Sequence, residues 1–302
     1  MKQRLLYIIT CLLIYTVVSA QEKSILYSHY SFNGLAINPA YTGSHEMLSI
    51  SLSHRSQWVG FDGAPSFNIL GIHTPYKNTR MGLGLLVMNE SIGLRKYTAI
   101  YANYAHRMNL GRGKLALGLK GGISTGNLKT ADLDNEVVYG ANSIRYLLPN
   151  FGVGAYYYTK KFHAGISVPL LLGYEATETG DVTLYHDFSK YAYYLTAGVK
   201  VDIATYWQIE PSGLIEYDKA GGIIADAGMS VLYKDALKVG ASYRSKQAVV
   251  MLLDFKVNYQ LRVGVAYDYG LNELNDYNRS SFELALEYNF GYRIKASNPT
   301  VF

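Results

Sequence analysis

The sequence predicts an all-β fold: a transmembrane antiparallel β-barrel of about 14 strands, preceded by an N-terminal periplasmic or lumenal extension. Three observations carry this reading. Apolar and polar residues alternate with period two along most of the chain, the mark of strands whose two faces differ. The alternating runs reach ~10 residues, long for a soluble sandwich and right for a tilted spanning strand. The connections between them sort into a short set and a long set, as outer-membrane barrels require.

The alternation is plain near the C-terminus. Phe282, Leu284, Leu286, Tyr288 and Phe290 share one face, and Glu283, Ala285, Glu287 and Asn289 share the other. Leu261, Val263, Val265, Tyr267 and Tyr269 alternate in the same way with Arg262, Gly264, Ala266 and Asp268. A soluble sandwich would turn its polar faces to water and its apolar faces to a shared core. Here the polar faces are rich in Gly, Ala and Ser, which suits a crowded lumen. The apolar faces often end in aromatics, as at Tyr217, Tyr243 and Phe290, which suits an interfacial girdle. Aromatics make up 14% of the chain and tyrosine supplies 29 residues, as many as glycine, which strengthens the girdle argument.

In chain order, residues 1–20 read as a signal peptide: basic Lys2 and Arg4, an apolar run over Leu5–Val18, and a Val18-Ser19-Ala20 cleavage site before Gln21. Cys11, the single cysteine, lies within that run, so the mature chain is expected to hold no disulfide, thiolate chemistry or lipidated cysteine. Residues 21–46 form an extension rich in aromatics and turn signals. A barrel domain is expected over 47–290 and a periplasmic tail over 291–302. Strands are expected near 47–55, 65–75, 80–89, 96–108, 114–125, 150–159, 162–170, 189–200, 206–217, 223–233, 236–244, 248–256, 260–269 and 280–290. Short periplasmic turns then fall at Tyr76–Thr79, Asn109–Gly113, Thr159–Lys161, Val201–Thr205, Lys234–Asp235 and Val257–Tyr259. The long connections Gly126–Pro149, Leu171–Phe188 and Gly270–Arg279 all fall on the outer side, where loops offer contact surface.

Few motifs point to chemistry. Gly122-Ile123-Ser124-Thr125-Gly126 matches the nucleophile-elbow pattern, but no helix follows the strand, as that elbow needs. Gly82-Leu83-Gly84 lacks both the third glycine and the helix of a phosphate loop, and reads as lumen-facing strand. Histidines 29, 45, 54, 73, 106, 163 and 186 are scattered and form no metal-ligand spacing. No catalytic residue, metal ligand or cofactor is assigned. Glu210, Glu216, Asp226, Lys238, Arg244, Asp254, Lys256, Arg262, Asp268, Glu283 and Glu287 fall on inner faces. Their mixed signs suit cross-strand pairing better than an ion-selective pore. The net charge of +5 gives no reason to expect a nucleic-acid partner.

The segment Tyr27–Trp58 carries Asn38-Pro39-Ala40-Tyr41-x-Gly43, then Arg55-x-Gln57-Trp58, and a Gly63-x-Pro65 turn follows. Together with PNFGVGAYYY at 149–158, FHAGISVPLLL at 162–172 and GASYRS at 240–245, it closely resembles the PorP/SprF family of outer-membrane proteins. The tail 291–302 departs from the family pattern, where the chain is expected to stop near its final strand. The resemblance implies a non-enzymatic barrel of the type IX secretion and gliding apparatus, in the outer membrane of a Gram-negative bacterium. It implies as partners a secreted or surface protein with a C-terminal sorting domain, and a periplasmic peptidoglycan-binding lipoprotein.

Residues 21–46 are expected to start on the periplasmic side and to fold into the lumen or across its mouth. There they would serve as a plug, a docking surface or a simple end cap. Pro39 fixes its own φ and biases Asn38 away from helix, and Gly43 permits the return turn. The candidate plug or partner-binding residues are Asn38, Pro39, Ala40, Tyr41, Gly43, Arg55, Gln57 and Trp58. Two other functions remain open at this stage: a passive or substrate-selective porin, and a barrel enzyme centred on Ser124.

Overall fold

The computed structural model describes residues 28–76, 80–129, 143–176, 182–219, 221–245, 247–271 and 280–291. The strands are β1 (Leu48–Ser56), β2 (Ser66–Tyr76), β3 (Met81–Ile92), β4 (Arg95–Leu110), β5 (Gly113–Lys129), β6 (Ser143–Tyr158) and β7 (Phe162–Val168). A small hairpin follows, β8 (Gly173–Ala176) and β9 (Val182–Tyr185), and then β10 (Tyr193–Val199) and β11 (Val201–Ala204). The last six are β12 (Trp207–Asp218), β13 (Gly222–Tyr233), β14 (Leu237–Arg244), β15 (Ala248–Lys256), β16 (Leu261–Gly270) and β17 (Ser280–Phe290).

Every pairing in the main sheet joins antiparallel neighbours, and two contacts close it. β1 pairs with β17 from Leu48↔Phe290 to Ser56↔Phe282. β10 and β11 both pair with β12, and so act as one strand interrupted at Lys200. With β8 and β9 set apart in their own two-stranded sheet, the wall is a closed barrel of fourteen staves. Closure removes the free edge that hydrocarbon could not hydrogen-bond.

Burial is inverted relative to a soluble protein. On β17, Ser281, Glu283, Ala285 and Glu287 are buried while Phe282, Leu284 and Leu286 are exposed. β16 repeats this with Ala266 and Asp268 inside and Val265 outside. An apolar residue on an exposed strand face is stable only against lipid, so the outer surface is the bilayer contact. Among the described residues no helix is long and apolar enough to cross a membrane; the strands do the crossing.

The expected strand positions correspond closely to these elements, and the differences lie in the connections. β4, β5 and β6 run to 16, 17 and 16 residues, so much of the expected outer loop 126–149 is wall that continues beyond the bilayer thickness. The expected loop 171–188 contains the β8–β9 hairpin. The strand expected from 189 begins at Tyr193, after a 3-10 turn over Phe188–Lys190 that the Asp187 side chain caps by accepting from Ser189 N. The expected turn Val201–Thr205 is mostly strand β11; Asp202 and Ala204 pair with Gln208 and Trp207 across an irregularity, which lets the chain turn at Thr205–Tyr206 instead. The signal peptide, the connection 272–279 and the tail beyond Gly291 lie outside the described residues.

Candidate functional site

The lumen holds the chain's own leading segment. Residues 28–46 form a turn, one helical turn α1 (Gly34–Ile37) and a 3-10 turn over Pro39–Tyr41. Asn38 is extended (φ −136°, ψ 115°), as a residue before proline prefers, and its Oδ1 accepts from Ala40 N at 2.9 Å. Thr42 Oγ1 donates to Pro39 O at 2.6 Å and closes the 3-10 turn. Gly43 takes φ +75° and leads the chain toward β1, with its N–H donating to His73 Nδ1 at 3.1 Å. The short Asn-Pro-Ala-Tyr-Thr-Gly run is thus a compact double turn, with Pro39 and Ala40 fully or nearly fully buried.

Inward glycines on the wall make room for it. A Cβ on Gly118 would overlap the Ala40 backbone, and one on Gly154 would overlap the Asn38 amide. One on Gly82 would overlap Thr42 O, and one on Gly264 would come within 2.5 Å of the Phe32 ring. A Cβ on Gly71 would stand 4.0 Å from Leu35 Cβ. Side chains complete the seat. Asn38 Nδ2 donates to Ala155 O at 3.0 Å and to Ile166 O at 3.3 Å, and Ser167 Oγ donates to Ile37 O at 2.7 Å. Arg107 Nη1 donates to Gly43 O. The Tyr41 ring meets His45, His73 and Tyr156 edge-on at 5.4 to 5.6 Å between centroids.

At mid-height, Leu35, Ala36 and Ile37 join a buried apolar cluster with Ile69, Leu86, Ala99 and Tyr101 from β2–β4 and Leu214 and Ile224 from β12–β13. These strands lie on far sides of the wall, so the cluster bridges the lumen. Tyr30 packs against it and its hydroxyl contacts Ser212 Oγ at 2.9 Å. Burial pushes the Tyr30 phenol up to about 12, although the Ser212 hydrogen bond opposes the shift. Burial raises the Tyr41 phenol as well.

The start of the segment is held by charge. Ser28 Oγ donates to Asp268 at 2.7 Å and accepts from Arg55 Nη1 at 2.7 Å. Glu283 accepts from Ser28 N at 2.9 Å and from Asn33 Nδ2 at 2.8 Å. Asp268 also pairs with Arg55 at 2.7 Å and Arg244 at 3.1 Å, and Arg244 pairs with Asp226 at 3.2 Å. Below this cluster the Arg262 guanidinium lies 4.1 Å from the Phe32 ring centroid and donates to Asp254 at 2.6 Å. All of these charges but the partly buried Arg262 are buried, and each is paired, as a low-dielectric interior demands.

This places the expected site residues in three groups. Asn38, Pro39, Ala40, Tyr41 and Gly43 sit together in the lumen near the short-turn end. Arg55 sits near the opposite end of β1 and grips the start of the segment. Gln57 and Trp58 lie beyond it in the β1–β2 connection, where Gln57 N donates to Pro65 O and Trp58 N to Ser281 Oγ. Trp58 takes φ 48°, a left-handed conformation that bulky residues seldom adopt. Ser28 itself lies beside Asp268, Glu283 and Arg55, near the long-loop ends of their strands. The described segment therefore begins at the far end from the expected periplasmic start and runs down the lumen to the short-turn end. The alternation places Asp268, Glu283 and Arg244 on inner faces, but nothing in their spacing ties them to Ser28. Ser124 lies within β5 rather than on an elbow, and its Oγ donates to Leu148 O of β6 at 3.4 Å.

The barrel is similar to the Ralstonia pickettii toluene transporter TbuX, with a TM-score of 0.51 over 84% of this chain and 92% of that one at 11% identity. It is also similar to the Acinetobacter baumannii outer membrane protein Omp33, with a TM-score of 0.48, 9% identity, and 81% and 98% coverage. At 11% identity the likeness to the transporter is one of fold. No curated protein matches the chain. The sequence pattern of the type IX secretion system membrane proteins PorP/SprF matches residues 19–288. With that match spanning nearly the whole chain, and with lipid-facing staves closed around a lumen, the protein belongs to the PorP/SprF family of type IX secretion system membrane proteins and resides in the bacterial outer membrane.

Proposed function

We propose that the protein is a non-enzymatic scaffold of the secretion apparatus, assisting secretion or surface anchoring of a partner with a C-terminal sorting domain. In this reading residues 21–46 act as plug and docking segment, with Asn38, Pro39, Ala40, Tyr41 and Gly43 at its centre. Arg55 holds its start, and Gln57 and Trp58 support the outer connection. A periplasmic peptidoglycan-binding lipoprotein is the second proposed partner.

One observation supports a scaffold over a passive porin: the lumen is crossed by the chain's own leading segment, seated among inward glycines and bound by a buried charge cluster. A diffusion pore keeps a water-filled lumen. The non-enzymatic reading is supported by Ser124, whose hydroxyl is spent within the wall.

Deleting residues 21–46 while keeping the signal peptide tests both parts. Heat-modifiable migration reports whether the barrel still folds. With the barrel intact, single-channel conductance is expected to rise and export of the client to fall. Unchanged conductance together with unchanged client export would sink both the plug and the docking roles.

A further inference from the structure

The two rims of the barrel differ in charge. At the short-turn end, which in this class faces the periplasm, the acids Glu46, Asp202 and Asp235 are each neutralised by a lysine: Lys114, Lys161 and Lys256. Four exposed cations remain there without an ion pair among the described residues: Arg80, Arg112, Lys160 and Lys234. At the long-loop end Asp62, Glu90, Asp187 and Asp218 stand against Arg95, Lys96, Lys190 and Lys219, and these eight charges cancel.

The four cations sit just beyond the apolar band. Arg80 directly precedes β3, whose first residue Met81 pairs with outward Tyr76. Arg112 lies two residues past outward Leu110, which is exposed on β4, and Lys160 lies two before outward Phe162 on β7. The Lys234 ammonium stands 5.3 Å from the ring centroids of both Tyr206 and Tyr233. Tyr233 in turn packs against Trp207 at 4.7 Å, and Tyr206 and Trp207 are exposed at the foot of the wall. Aromatic rings at this depth mark the interface, and a cation directly past them is at the level of lipid phosphates. The four residues occupy the turns after β2, β4, β6 and β13, so the charge is spread along the rim rather than confined to one strand pair.

We infer that the short-turn rim is a headgroup-binding collar, selective for anionic phospholipids of the inner leaflet. Lys234 supplies a cation held against its aromatic neighbours, and Arg80, Arg112 and Lys160 extend the positive field along the wall. Each basic residue at an anionic surface contributes about a fivefold preference, and the effect weakens with salt.

The test uses the purified full-length barrel equilibrated with equimolar phosphatidylglycerol and phosphatidylcholine, with retained lipids counted by native mass spectrometry. The native protein is expected to enrich phosphatidylglycerol. A combined Arg112→Gln, Lys160→Gln, Lys234→Gln variant is expected to lose at least about tenfold of that preference. A control variant, Lys96→Gln, Lys190→Gln, Lys219→Gln, is expected to keep it. If heat-modifiable migration shows that the combined variant does not fold, Lys160→Gln and Lys234→Gln are measured singly, each with an expected loss of several-fold. Equal enrichment in native and rim variants, or equal loss in rim and control variants, overturns the collar. So does a native barrel with no lipid preference that instead sediments with purified peptidoglycan sacculi.

Discussion

Glu283 is a single carboxylate that holds four donors: the backbone N–H of Ser28 and of His29, the Asn33 amide and the Ser53 hydroxyl, with Arg55 at 3.5 Å. Hydrogen bonds to a charged group are among the strongest a protein makes, and removing one partner strands the others in a dry interior. Glu283→Ala is therefore expected to weaken the seating of the segment by about 3–5 kcal/mol, seen as raised conductance and new protease cleavage before Leu48. A barrel variant that folds and stays closed would show that the grip lies elsewhere. Gly118 makes a complementary case. Its Cβ position is filled by Ala40 backbone, whereas a Cβ on Gly121, three residues on, meets only Phe151 carbons at 3.4 Å or more. Gly118→Val is expected to expel the 3-10 turn and open the lumen, and Gly121→Ala to leave conductance unchanged. Alternation alone puts Gly118 on the inner face with Ala116 and Lys120, and Gly121 on the outer face with Leu117 and Leu119. That Gly118 meets Ala40 was not legible, because it depends on the path of a chain with no periodicity of its own.

At the scale of elements, the strands were legible because a two-faced wall imposes period two on every one of them, and the eye needs only Phe282 through Phe290 to see it. The breaks were not. Lys200 interrupts β10–β11 without a Pro, and the nearby Gly198 sits inside β10 rather than at the break, while β4–β6 extend outward past the apolar band, where alternation no longer reports on lipid. The leading segment was legible only as turn chemistry: Asn-Pro and Thr-Gly gave its corners, while its direction came from contacts 240 and more residues away. Whether this element moves can be tested with a crosslink. Leu35→Cys with Gly71→Cys places two Cβ atoms about 4.0 Å apart, within disulfide range, in a chain whose single native cysteine is Cys11. Ser51→Ala accompanies it, since Ser51 Oγ crowds the new Cβ at 2.7 Å. Oxidation is expected to keep conductance low and to block client export, and reduction to restore export. Export that continues through the oxidised lock would mean the segment works without moving. The same element has a pH signature. The folded pKa of Tyr30 stands near 12 against an ordinary value of 10, so the neutral phenol is favoured by folding. Its contribution is complete below pH 10 and is lost as pH climbs toward 12. Conductance is expected to rise across that window, and Tyr30→Phe to remove the rise.

For the whole molecule, inverted burial sets the conditions under which it exists. Leu52, Leu147, Ile166, Ile223 and Met251 are each at least 48% exposed, and they belong to a band that only hydrocarbon can cover. The purified chain is expected to show heat-modifiable migration in detergent and to precipitate when detergent is withdrawn; a monodisperse folded monomer in plain buffer would contradict the outward apolar face. Charge at this scale is divided as well. Among the described residues, acids and bases fill the lumen in near balance, and a surplus of positive charge stands on the short-turn rim.

The clamp around Ser28 draws on β16, β17 and β1 together, and β17 and β1 are the last and first staves, joined by the pairing that seals the cylinder. The leading segment is consequently laced across the seam. A segment brought indoors before the two ends of the sheet meet would form the clamp and the seam in one step, whereas an early seam leaves the segment to enter through a mouth of the finished cylinder.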